Sequence, residues 1–103
     1  MSEDDRTEAE KRAQAIELLE NNHQFPCDFM IKVIGRADDE FVANVLEAIR
    51  KFHQTDNDPP YRVRETPNGK HVSVTVEPHL KSAEQVLEAY ACIQAIDGVV
   101  MVM

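Results

Sequence analysis

The pair Asn68-Gly69 lies between two runs of alternating residues, and it constrains this chain more than any other feature. Asn-Gly is the strongest short signal for a β-hairpin, because both residues tolerate the positive φ of a tight turn. Folding the sequence about it sets Val63 opposite Val74 and Tyr61 opposite Val76, with Arg64 opposite Ser73 and Arg62 opposite Thr75. Apolar meets apolar on one face and polar meets polar on the other, a match that a slip of one residue would destroy. The pattern predicts strands at 61–66 and 71–77, packed on one face and open on the other. Pro67 has no N–H to donate, so it fits only at a frayed or non-bonded position.

The flanking segments supply the remaining elements. Thr7-Glu8-Ala9-Glu10 has the form of a capping box and starts a helix to about Asn21 or Asn22, with a narrow stripe of Ala9, Ala13, Ile16 and Leu19. Such a helix is marginal alone and needs a surface; the expectation is that it packs weakly on the sheet or is partly mobile. Phe29 to Ile34 is apolar at nearly every position and ends at Gly35, which predicts a strand. Asp38, Asp39 and Glu40 place negative charge at the start of a helix whose apolar residues run from Phe41 to Phe52, before Pro59-Pro60 halts it. Ser82-x-x-Gln85 opens another helix through Ile96, ended by Asp97-Gly98. The last strand is Val99 to Met103. By simple alternation it has two apolar faces, Val99/Met101/Met103 and Val100/Val102, so a dimer partner or the first helix is expected to cover the second.

The order is a helix followed by β-α-β-β-α-β. It predicts an α+β, ferredoxin-like sandwich: a four-stranded antiparallel sheet in the order 4-1-3-2 with two helices on one face. An acidic, partly helical extension (1–22) precedes the domain proper (23–103). At 103 residues one two-layer core is the expectation.

Charge and cysteine usage narrow the functions. The chain carries a net −8, which opposes a sequence-independent grip on nucleic acid or anionic lipid. Residues 1–20 hold seven acids against three bases, so basic patches remain open to the rest. The N-terminus begins acidic with no apolar run behind it, and no stretch is long enough to span a bilayer, so a cytoplasmic location is expected. Cys27 and Cys92 are far apart and form no CxxC pair, and the four histidines show no ligand spacing. No metal or cofactor is expected.

Three separated segments carry a resemblance: Phe25-Pro26-Cys27-Asp28-Phe29-Met30-Ile31-Lys32-Val33-Ile34-Gly35, then Asn68-Gly69-Lys70-His71-Val72-Ser73-Val74-Thr75-Val76, then Val99-Val100-Met101-Val102-Met103. Over about residues 24–103 the chain resembles the YbeD-like family of bacterial proteins. The resemblance implies a ferredoxin-like fold similar to ACT domains, which bind amino acids and control metabolic enzymes. It supplies no assigned activity and no catalytic residues, and the long N-terminal extension departs from the shorter members.

Two places remain for function. The loop of Gly35, Arg36 and Asp38 is a candidate effector site. Gly35-Arg36 also has the position that a backbone cradle plus arginine would need for acyl-phosphate chemistry, although Asp38, Asp39 and Glu40 would repel a phosphate. The outer sheet face should gather Lys32, Arg62, Arg64 and His71 beside Met30 and Ile34, a basic and apolar contact surface. An RNA-binding domain of this topology would need stacking aromatics on its third strand, where Ser73 and Thr75 stand instead. The expectation is a non-catalytic regulatory or adaptor module with a protein partner or small effector. The alternatives are a small hydrolase or transferase using Gly35-Arg36, and a weak RNA binder.

Overall fold

The computed structural model describes residues 6–53 and 55–103; the acidic opening, residues 1–5, lies outside them. The elements are α1 (Glu8–Asn22), β1 (Cys27–Asp28), β2 (Ile31–Arg36), α2 (Asp39–Arg50), β3 (Tyr61–Glu65), β4 (His71–Val76), β5 (His79–Leu80), α3 (Ala83–Gln94) and β6 (Val99–Val102). Four of the strands form an antiparallel sheet in the order β3-β4-β2-β6, which is the expected 4-1-3-2 arrangement. Ile31, Val33, Val72, Val74 and Val76 point from the sheet into the core, where Phe41, Val45 and Ile49 of α2 and Val86, Ala89 and Ile93 of α3 meet them.

The hairpin pairs as the alternation requires: Tyr61↔Val76, Arg62↔Thr75, Val63↔Val74 and Arg64↔Ser73. Its turn is wider than a two-residue Asn-Gly turn. Gly69 alone has positive φ, at 71°, and donates to the Thr66 carbonyl at 2.9 Å, while Thr66 Oγ1 accepts from His71 N–H at 3.2 Å. Pro67 cannot donate the bond that a tighter turn would use, so a threonine hydroxyl closes the ladder instead. β3 is an edge strand, exposed along its whole length between Pro60 and Pro67.

Sequence reading placed the first long strand at Phe29–Ile34, but the regular ladder runs Ile31–Arg36. The displaced start has a cause. Counting outward from Ile31↔Val76 reaches Asp28↔His79 and Cys27↔Leu80, so the small β1–β5 pairing continues the register of β2–β4. The two are separated at Pro78, which accepts from Phe29 N–H at 2.9 Å and has no N–H to return. At that corner His79 Nδ1 lies 2.8 Å from Asp28 Oδ1, and His79 N–H donates to His53 Nδ1 at 2.9 Å.

A second correction concerns β6. Val102 pairs with Val33 and Met101 with Ile34, but Val99 pairs with Gly35, so the register shifts between Ile34 and Gly35. Val100 is the extra residue of this bulge. Val99 and Val102 therefore both pack on the core, while Val100, Met101 and Met103 are exposed. Strict alternation had grouped Val99 with Met101 and Met103.

The helices end as their residues dictate. Thr7 and Glu10 form the reciprocal capping box of α1, Asp38 caps α2, and Ser82 caps α3. α3 stops at Gln94, short of the expected Ile96, and Gly98 takes φ 96° beyond it. α1 packs against α3 rather than the sheet. Leu19 reaches the core edge, and the His23 ring lies 4.8 Å from that of Phe29, tilted by 58°, while Phe29 meets Tyr90 of α3 edge-on at 6.4 Å. No helix of the described residues is long and apolar enough to cross a membrane.

Candidate functional site

With both core helices and α1 on the other side, the outer face of the sheet is left bare. The register arranges it in rows. Arg62, Thr75 and Lys32 lie side by side, and Lys32 exchanges backbone bonds with Met103 at 2.9 and 2.7 Å. Arg64, Ser73, Ile34 and Met101 form the next row, and His71 with Arg36 the third. Met30, 55 % exposed, extends the face where the register carries it opposite Glu77. Arg62, Val63 and Arg64, with Ser73, Thr75 and Lys32, line a shallow depression of ≈ 340 Å³.

The basic side chains of this face are not equivalent. Arg36 is held by two carboxylates, Asp38 Oδ2 at 2.7 Å and Asp97 Oδ2 at 3.2 Å. Lys32, Arg62 and Arg64 have no ion pair or side-chain hydrogen bond among the described residues. The outer-face strand positions hold no acid, and Glu77, just beyond β4, pairs with none of the three. Every sequence-predicted surface residue thus comes together on one face, with Met101 beside Ile34 and Met103 beside Lys32.

The Gly35 loop is differently built. A Cβ on Gly35 would strike the Phe41 ring and stand 2.7 Å from the Gly98 carbonyl, so the glycine admits a core aromatic. Asp38 Oδ1 accepts from Phe41 N–H at 2.6 Å while its other oxygen meets Arg36. The structure therefore joins Arg36 and Asp38 as partners of one another. The Arg36 hydrogen bond, followed by the Phe41 N–H, holds the Asp38 carboxyl below the usual aspartate range. Arg36 is pushed further up by Asp38 and then Asp97.

A native-state pKa below the unfolded value favours folding at neutral pH. That contribution is complete above the ordinary aspartate range and is lost as pH falls through the lower folded value. Asp38→Asn keeps the cap but removes the charge. In urea titrations from neutral to strongly acidic pH, this variant is expected to show a shallower acid-induced fall in midpoint than the parent. An unchanged slope would remove Asp38 from the acid response.

Other reactive groups stay apart. Cys27 and Cys92 are free, and burial followed by the Asp28 carboxylate pushes the Cys27 thiol up, the unreactive direction. His53, His79 and Asp28 converge although nothing in their spacing signals it, yet the described residues contain no group of three or more side chains suited to a metal.

This architecture defines an α+β domain of the ferredoxin-like, ACT-like class. It is similar to the crystal structure of the ACT domain from GTP pyrophosphokinase of Chlorobium tepidum, with a TM-score of 0.54 and 16% identity over 74% of this chain and 96% of that one. The chain belongs to the family described as "Protein of unknown function (DUF493)", which matches residues 20–103. A UPF0250 protein of Vibrio cholerae serotype O1 is 40% identical over 80 residues, 78% of this chain and 85% of that protein. A UPF0250 protein of Shewanella woodyi is 32% identical over 80 residues, covering 78% and 89%. One from Paraburkholderia phytofirmans is 30% identical over 71 residues, covering 69% and 80%.

Proposed function

We propose that the protein is a non-catalytic regulatory or adaptor module that acts by contact through the bare face of its sheet. The observation that carries this reading is the set of three cations, Lys32, Arg62 and Arg64, left without counter-ions on the uncovered face of a chain of net charge −8. Charged side chains with a purely internal role are normally paired or spread among opposite charges, whereas an unbalanced cluster beside exposed apolar residues suits recognition. The Gly35 loop supports chemistry less well, because two carboxylates occupy Arg36 and Phe41 fills the space above Gly35.

Site-directed photocrosslinking in the native cells tests this. A photoreactive residue at Thr75 on the bare face is expected to yield discrete adducts, and one at Asn44 on the exposed side of α2 is not. Adducts from Asn44 alone would overturn the reading. So would turnover of an acyl phosphate that Arg36→Ala abolishes.

A further inference from the structure

The bare face is divided between two chemistries. Toward β3 stand Lys32, Arg62 and Arg64 with the hydroxyls of Ser73 and Thr75 between them. Toward β6 stand Ile34, Met101 and Met103, the two methionines 49% and 51% exposed. Resting on the reading of this face as a contact surface, we infer that its occupant is an acidic amphipathic helix of a partner protein. Carboxylates along one flank of that helix pair with Lys32, Arg62 and Arg64, and its apolar stripe lies over Ile34, Met101 and Met103.

Charge complementarity decides the sign of the partner. Arg62 and Arg64 project from the same side of one strand, two residues apart, with Lys32 across β4 from Arg62. Their mutual repulsion in the free protein is relieved when carboxylates settle among them. The serine and threonine hydroxyls add donors at the same place. A long polyanion fits less well: the chain as a whole repels it at net −8, and the strand positions of this face carry no Phe, Tyr or Trp on which bases could stack, only the single ring of His71.

The apolar half decides the partner's shape. Unbranched methionines adapt to a neighbour's side chains and favour contact with peptide surfaces. β2 and β4 lie inside the sheet, with their backbone groups committed to neighbouring strands, and the free edges, β3 and β6, stand at opposite ends of it, so an extended peptide added at either edge would lie beside one half of the face and leave the other uncovered. A helix arrives with its own backbone bonds made and can bury a stripe on the sheet, as α2 and α3 do on the other side.

The probe is a synthetic helical peptide with leucines spaced i, i+3, i+4, i+7 and flanking glutamates. Controls are the same peptide with lysines for glutamates, and a single-stranded RNA oligonucleotide. Amide shifts on titration should map to β2, β4 and β6 for the glutamate peptide, with affinity falling as salt rises. A Lys32→Glu, Arg62→Glu, Arg64→Glu variant should bind it about tenfold more weakly or worse and should now accept the lysine peptide. These side chains are unpaired, so the variant's melting curve checks that it is folded.

Preference of the parent for the lysine peptide or the RNA overturns the acidic-helix assignment but leaves a contact module. Shifts confined to α2 and α3 overturn the assignment, and the Thr75 and Asn44 crosslinks then judge the broader reading separately. Self-association that the triple variant abolishes would identify a second copy's α1 as the occupant and overturn the assignment to a different protein.

Discussion

Gly35→Ala should lower the stability of the domain by about 3 kcal/mol, the upper end of what overpacking a filled core costs. The added methyl has nowhere to go. On one side it meets the ring of Phe41, itself 1% exposed, and on the other the Gly98 carbonyl at 2.7 Å. Gly98 O also accepts the Arg36 N–H at 3.0 Å, so moving it disturbs the junction between β2 and β6. The unfolded chain loses some freedom when glycine becomes alanine, but that gain of up to about 1 kcal/mol is smaller than the clash. Urea unfolding should show the loss as a lower midpoint at constant slope. Phe41→Leu in the same chain should return on the order of 1 kcal/mol by making room, so the double variant is less damaged than the two single costs added together. Strict additivity would show that Phe41 is not the obstacle.

The bulge in β6 makes the second prediction. Val99→Asp and Val102→Asp should each cost roughly 2–4 kcal/mol, because both side chains pack on the core and a carboxylate there is poorly solvated. Val100→Asp and Met101→Asp lie on exposed positions and should change stability by no more than about 0.5 kcal/mol. Thermal or urea unfolding of the four variants distinguishes this pattern from simple alternation, in which Val99 and Met101 would respond alike and Val100 would follow Val102.

Legibility in the sequence followed the range of the interaction involved. The hairpin was readable because its register is local and the alternation on both strands had to agree, so valines and polar residues sorted onto opposite faces. Helix starts were readable because Thr7, Asp38 and Ser82 act within a few residues of themselves. The bare face followed from both, since Lys32, Arg62 and Arg64 are placed by strand parity alone. Simple alternation missed the features that need distant partners or a broken period. The bulge at Val100 breaks the period of the last strand where Val99 lies opposite Gly35, and Asp97 reaches Arg36 across 61 residues. Pro78 did carry a local signal for the break in the long ladder. The place of α1 did not, because its weak stripe suits a helix as readily as a sheet.

The exposed edge at β3 has one more consequence. A strand with free backbone groups is a template on which another copy could extend the sheet. Two copies meeting antiparallel about Val63 would set Arg62 of each against Arg64 of the other, like charge facing like at every outward position of the seam. On the reading proposed above, the arginines that would attract carboxylates would also oppose pairing of the protein with itself along this edge, so one pair of residues would serve both partner choice and protection of the edge.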